Sequence, residues 1–480
     1  MILIIAIFLP LIAAVLCWLK PLRSIAWGTT VFCLSTSFAL AVVISGQVLV
    51  KGRVIGLARW FEVDGLGVLM ILLVSFVCTL AAVFAGGYMR HSSQRERLWW
   101  FYCNYNLLAF ALIIVPAFAD PNLVWVGVEL ITLFAILLVG FESTPIALEA
   151  AWKYAILTLM GAPISLLGFF VLYWAYRGTG SGTAETWQSL QAMAPAMSPN
   201  LLKLSFLLVF VGFGTKIGFA PTHTWLPDAH SQAPTPICAV LSGIKTSVPL
   251  YAVLRLLSII LASPEARIGR WMVIIGLFSV GIAAFLLLQV RDYKRMFAYS
   301  TVEHMGIILT AAGFATQASA SAAVAQMLNH SITKSLCFYT AGIVLLALGT
   351  RQIKDVRGLF RLSPFAGAAL LLCALAIAGA PPFPIFLSEF SILSAGIRSG
   401  HNTAVAILAI LIVVAFVAIM RQVNGMLFGE PELHTTAEAV PLSCRTAVLV
   451  AAVPVVVLGV FIPAPIHSLL QLAAQQLGGR

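Results

Sequence analysis

An all-α polytopic membrane protein of about 14 transmembrane helices is the expectation for this 480-residue chain, and three observations lead to it. Hydrophobic residues make up 61% of the sequence, charged residues only 9%, and the mean hydropathy is +1.02. A soluble domain is roughly a quarter charged, so this composition cannot clothe a surface that faces water. Apolar stretches of about 20 residues recur from end to end, each long enough to cross a hydrocarbon core of roughly 30 Å. Finally, the longest polar connection, 177–200, leaves no room for a catalytic domain, so 1–480 reads as a single membrane domain.

Taken in order, the apolar runs place spans near 1–19, 24–46, 63–88, 98–118, 121–141, 153–176, 201–220, 235–262, 270–290, 296–315, 321–348, 364–395, 402–427 and 442–470. Polar residues, proline and glycine punctuate them. The first run has no basic region ahead of it and no small-residue cleavage site before Lys20 and Arg23, and reads as a retained helix. Two spans carry internal breakers: KIGFAPTHTWLP at 216–227 and GAPPFP at 379–384. Proline removes an amide donor and strains the preceding turn, so both helices are expected to be interrupted inside the membrane. If spans four to eight (98–262) and nine to thirteen (270–427) are inverted repeats, the breaks fall in the fourth helix of each. Paired interruptions of that kind mark the pathway in inverted-repeat transporters.

The formal charge of +11 would suggest nucleic acid in a soluble protein. Here the Lys and Arg residues sit mainly in short loops, and no nucleic-acid partner is expected. Their moderate excess in the odd connections, which hold Arg90, Arg95, Arg97, Arg291, Lys294, Arg295 and Arg351 among others, puts those loops in the cytoplasm and both termini on the opposite face.

The eight cysteines are scattered, without a C-x-x-C pair, which disfavours zinc or iron–sulfur binding. There is no P-loop, no H-E-x-x-H, no nucleophile elbow, and no pairing of histidines suited to haem. No active site, metal or cofactor is therefore expected in this chain itself.

Charges in the apolar runs carry the functional signal. Glu129, Lys216, Lys245, Lys334 and Glu389 each lie within a different span. A charge at the bilayer centre costs roughly 2.5–3.5 kcal/mol on insertion scales, so five of them need a reason. One reason is bland: the lysines extend toward headgroups, or the glutamates form static pairs. The functional reason is that burial destabilises a lysine's charge while a nearby carboxylate restores it, so a movable partner turns the lysine into a proton carrier. Glu129 with Lys216 is the candidate pair of the first half-channel. Lys334 and Glu389 would do the equivalent work in the second, with Lys245 between the halves. His330 stands four residues before Lys334 on the same helix face and suits a relay. His223, His230 and His304 are open between relay or gating and structural roles, whereas His91, His401, His434 and His467 read as loop or helix-end residues.

The segment KIGFAPTHTWLPDAHSQAPTPICAVLSGIKT at 216–246 resembles the signature of the antiporter-like proton-translocating subunits of respiratory complex I, Mrp-type antiporters and energy-converting hydrogenases. The resemblance continues through RDYKRMFAYSTVEHMGII, NHSITKSLCFYTAG and GAPPFPIFLSEFSIL, and covers spans three to thirteen. It implies a fold of 14 helices with two inverted five-helix repeats and two broken helices. It also implies a proton path through Glu129, Lys216, Lys245, His330, Lys334 and Glu389. Glutamate at 389 resembles the M-type complex I subunit, while VEHMG with GAPPFPIFLSEF is most similar to component F of hydrogenase-4. The chain runs out soon after span 14, which argues against the distal complex I subtype with its long lateral helix.

The resemblance thus implies a subunit of a redox-driven complex in the inner (cytoplasmic) membrane. Other membrane subunits and a peripheral hydrogenase-like arm are the expected partners, lipid fills the helix interfaces, and the iron–sulfur clusters and Ni–Fe site belong to the partners. The alternatives are a subunit of an Mrp-type sodium/proton antiporter, the M-type subunit of complex I, or a scaffold whose charges are fixed pairs.

Overall fold

In a computed structural model, all residues are described except 58–59, 181–184, 264, 432–436 and 479–480. His434 lies outside the described residues.

The chain opens with helices α1 (Ile2–Trp18) and α2 (Ala26–Lys51), then a small antiparallel hairpin of β1 (Val54–Gly56) and β2 (Phe61–Val63). Helices α3 (Gly65–Tyr88), α4 (Leu98–Ile114), α5 (Pro121–Val139) and α6 (Pro145–Arg177) follow, then a short α7 (Trp187–Met193). Next come α8 (Pro199–Ile217), α9 (Trp225–Gln232) and α10 (Thr235–Val240), which continues through a π turn, Leu241–Lys245, into α11 (Ser247–Ala262). The remainder is α12 (Gly269–Leu287), α13 (Tyr293–Gly313), α14 (Gln317–Leu348), a one-turn α15 (Leu359–Leu362), α16 (Pro364–Ile377), α17 (Pro384–Arg398), α18 (Asn402–Phe428), α19 (Leu442–Val460) and α20 (Ala464–Leu477).

Helix is the expected solution in lipid, because every backbone polar group must be satisfied within the segment. Local chemistry sets the ends. Asp64, Asp120, Thr144, Asp292 and Thr316 accept from the first-turn amides of α3, α5, α6, α13 and α14. Prolines occupy first-turn positions in α5, α6, α8, α16 and α17, where no amide is lost.

Among the described residues, 11 helical stretches are long and apolar enough to cross a membrane. The three other segments expected as spans are helical too. α1 has only 17 residues, α13 carries Lys294, Arg295 and Glu303, and α16 and α17 are the two pieces of a broken helix. Both expected interruptions occur, after Ile217 and after Ile377, and at each the chain turns through a glycine in the left-handed region, Gly218 (φ +88°) and Gly379 (φ +76°).

Two features differ from expectation. The last span, expected over 442–470, is two helices, because Pro463 has no amide to continue α19. The following helix, α20, buries only one face, through Leu469, Leu470, Ala473, Ala474 and Leu477. The π turn inside span eight was not foreseen either.

Burial grades the helices into layers. The α10–α11 span is wholly buried, and α3 and α14 pack around it, both largely buried. The outer helices α2, α5, α6, α12, α18 and α19 present apolar side chains such as Phe32, Trp152, Phe170, Phe278 and Val413 outward, as lipid contact requires.

Candidate functional site

The buried charges converge along the interior. Glu129 stands in the third turn of α5, and Lys216 is the penultimate residue of α8, in the last turn before the first break. Lys216 Nζ lies 3.0 Å from Glu129 Oε2 and donates to Thr132 Oγ1 at 3.1 Å. The Lys216 side chain is fully buried while 19% of the Glu129 side chain is exposed, so only the carboxylate member of the pair is partly accessible. Glu129 Oε1 is buried and has no protein partner. The carbonyl end of a broken helix favours positive charge, which suits a lysine in that last turn.

Lys245 ends the π turn, and its ammonium donates to the backbone carbonyl of Lys216 at 2.9 Å. Its Nζ also lies 4.1 Å from the centre of the Trp225 ring and 4.7 Å from that of Tyr154. The same turn reaches the second half, because His330 Nε2 donates to the carbonyl of Ser242 at 3.2 Å.

His304 of α13 packs beside His330, with ring centres 5.3 Å apart and the planes tilted by 50°. Its Nε2 donates to Ile377 O at 3.1 Å, at the edge of the second break, and its Nδ1 accepts from Gln326 Nε2 at 2.9 Å. Glu389 Oε1 stands 3.9 Å from that same Nδ1. Its Oε2 lies 2.5 Å from where a Cβ at Gly379 would stand, so a side chain there would push the Glu389 carboxylate aside, while the φ of +76° is what favours glycine at the break. Asn329 and Ser388 tie α14 to α17 beside it, with Asn329 Nδ2 donating to Pro384 O at 2.8 Å and to Ser388 Oγ at 3.0 Å.

One site expectation differs from the structure. Lys334 and Glu389 do not meet. The Lys334 ammonium donates to Phe297 O at 2.7 Å and to Ser300 Oγ, both on α13, while the fold at Gly379 turns Glu389 toward His304. His304 is fully buried. His230 is fully buried as well. Its Nδ1 donates to Leu226 O at 2.7 Å, and its Nε2 has no protein partner. His223 is buried in the first break. Lys294, Gln232, Arg351 and Glu142 line a cavity of about 620 Å³ that also borders Ala233 and Pro234, just beyond the helix of His230.

Sequence reasoning missed several residues. Glu303 is buried beside His304 with Oε2 unpartnered, and its place in an otherwise uncharged stretch of α13 was a usable signal. Arg255 of α11 forms a buried ion pair with Asp64, the cap of α3. Those partners are 191 positions apart, which no local pattern reveals. Tyr154 and Trp225 read as ordinary aromatic residues until the fold sets them against Lys245.

Residues 120–415 match the family described as "NADH:quinone oxidoreductase/Mrp antiporter, TM", and residues 57–98 match "NADH-Ubiquinone oxidoreductase (complex I), chain 5 N-terminus". The chain is 38% identical over 380 residues to a hydrogenase-4 component F homolog of Methylacidiphilum infernorum, covering 78% of this chain and 80% of that one. It is 28% identical over 467 residues to NADH-quinone oxidoreductase subunit N of Desulforudis audaxviator, covering 91% of each. A chain of the membrane-bound sulfane sulfur reductase, an archaeal respiratory membrane complex, superposes with a TM-score of 0.89 at 25% identity over 99% of this chain and 97% of that one. The chain belongs to the family of antiporter-like, proton-translocating membrane subunits shared by complex I, Mrp antiporters and hydrogenase-4.

Proposed function

We propose that this chain is the proton-translocating subunit of a hydrogenase-4-like energy-converting complex in the inner membrane. Protons would move through Glu129, Lys216, Lys245, His330, His304 and Glu389, with Lys334 and Glu303 alongside. The similarity to a hydrogenase-4 component F homolog supports the choice of complex. In this reading redox chemistry takes place in a peripheral hydrogenase-like arm that carries the iron–sulfur clusters and Ni–Fe site, and other membrane subunits pack against the outer helices. Segments 98–262 and 270–427 act as two half-channels, inverted repeats of one another, joined at the π turn of Lys245.

The observation that carries the reading is the Lys216 ammonium, held by Glu129 on one side while its own backbone carbonyl holds Lys245 on the other. Withdrawal of Glu129 would leave a buried lysine without its counter-charge, a state that favours release of its proton. The carbonyl shared with Lys245 gives that proton a near neighbour to move toward. On the far side His304 stands 3.9 Å from Glu389, outside hydrogen-bonding reach, so a proton arriving on either group would draw the two together. His223 and His230, at the first break, are the gating candidates.

The test is the assembled complex in sealed vesicles, driven by its electron donor, with Glu129→Gln and Lys216→Met compared with the parent. Loss of proton uptake with intact assembly supports the reading. Parent-level uptake by both variants overturns it. Uptake that requires sodium and no electron donor would move the assignment to an Mrp-type antiporter.

A further inference from the structure

Lys245 differs from Lys216 in one respect that the relay alone does not explain. Both ammonium groups are fully buried, yet among the described residues no carboxylate lies within 4.0 Å of Lys245. What faces its Nζ is the Lys216 carbonyl at 2.9 Å, the Trp225 ring at 4.1 Å and the Tyr154 ring at 4.7 Å. An aromatic face carries the negative part of the ring quadrupole and attracts a cation within about 6 Å of the ring centre. Trp225 is pinned in place, since its indole N–H donates to Thr215 O at 2.7 Å, one residue before Lys216. Tyr154 packs against it with ring centres 4.6 Å apart. Its hydroxyl is buried on the side of Thr132 and Glu129, away from the ring face that Lys245 meets.

We propose that Trp225 and Tyr154 form an aromatic cage for the Lys245 ammonium and are positioning residues for proton passage between the two half-channels. This deepens the proposed function and rests on it. A carboxylate beside Lys245 would bind the ammonium tightly in low dielectric and retain the proton. Aromatic faces attract the cation but carry no base that competes for its proton, so the charge is held weakly enough to leave. The cage also hangs on the first broken helix, because the Lys216 carbonyl, the Thr215 carbonyl behind Trp225 and Trp225 itself flank the interruption. A shift at Lys216 would therefore reach Lys245 through the cage. The titratable groups around it are Lys216, Glu129 beyond it, and His230, whose ring lies 6.2 Å from that of Trp225.

The experiment replaces Trp225 with mono-, di- and trifluorotryptophan in the assembled complex, which drains the π face in steps while keeping shape and the indole N–H. Tyr154→Phe and Tyr154→Leu accompany the series. Proton uptake into vesicles should fall with each fluorine, reaching about 10- to 30-fold at the trifluoro ring, the range expected for losing a desolvated cation–π contact. Tyr154→Phe should stay within about twofold of the parent, while Tyr154→Leu falls about tenfold or more. Unchanged uptake across the fluorinated series, with assembly intact, overturns the cage even where Glu129→Gln still abolishes transport. Were Glu129→Gln and Lys216→Met also to transport like the parent, the proposed function itself would fall and the cage with it.

Discussion

The Glu129–Lys216 pair allows stability and transport to be pulled apart. Lys216→Met removes the cation and leaves a carboxylate held by no opposite charge, with Oε1 already unpartnered. Breaking a fully buried ion pair from one side costs about 3–5 kcal/mol. Because 19% of the Glu129 side chain is exposed, the lower end applies, about 3 kcal/mol. Glu129→Leu alone should cost a similar amount, since it strands a fully buried ammonium. The double variant removes both charges, and apolar replacements of buried pairs are often neutral or stabilising, so most of the loss should return. A double-mutant cycle by unfolding in mixed micelles should therefore report a coupling of about 5 kcal/mol, the two single losses of about 3 kcal/mol each less the small loss left in the double variant. Transport should behave differently: uptake is lost in both single variants and stays lost in the double. Recovery of stability and transport together in the double variant would refute the reasoning and make the pair a structural clasp.

Three further outcomes follow from particular contacts. Gly379→Ala sets a Cβ 2.5 Å from Glu389 Oε2 at a φ of +76°, and should destabilise the subunit by about 1–3 kcal/mol while slowing transport, as thermal unfolding and uptake would show. Arg255→Met strands Asp64 at the cap of α3 and should cost about 3–5 kcal/mol, yet transport per assembled complex should remain near the parent level, because this pair lies outside the proposed relay. Glu185, in the connection after α6, is pushed up to about 7 by burial and by the neighbouring Asp120 carboxylate. The folded state then holds this proton more tightly than the unfolded chain, so its stabilisation is complete below about pH 4.5 and is lost as pH rises through 7. Melting curves of the parent and Glu185→Gln should diverge over that window, and parallel curves would contradict the assignment.

Much of this was legible in the sequence because membrane insertion penalises charge and broken backbone so strongly. Lys216, Glu129 and Lys245 stood out as charges in apolar runs, and GFAP and GAPPFP announced the two breaks. What the fold supplied was direction. Lys334 and Glu389 both belong to the interior, but only the turn at Gly379 decides that Glu389 faces His304. The adjacent Glu303 and His304 look like a polar helix end until α13 is seen to be buried along most of its length. The π turn before Ser247 has no residue signature of its own, although it places Lys245 and the Ser242 carbonyl on the same seam. Arg255 and Asp64 pair across the chain, and Tyr154 and Trp225 acquire meaning only from what they enclose.

The central claim is that these buried carboxyl groups change protonation as the complex turns over. Infrared difference spectroscopy of the assembled complex, with its glutamate carboxyls labelled with carbon-13, tests it most directly. Protonated-carboxyl bands should appear and disappear with turnover and lose separate components in Glu129→Gln and Glu389→Gln. A carboxyl region that stays flat while the parent complex moves protons at full rate would contradict it.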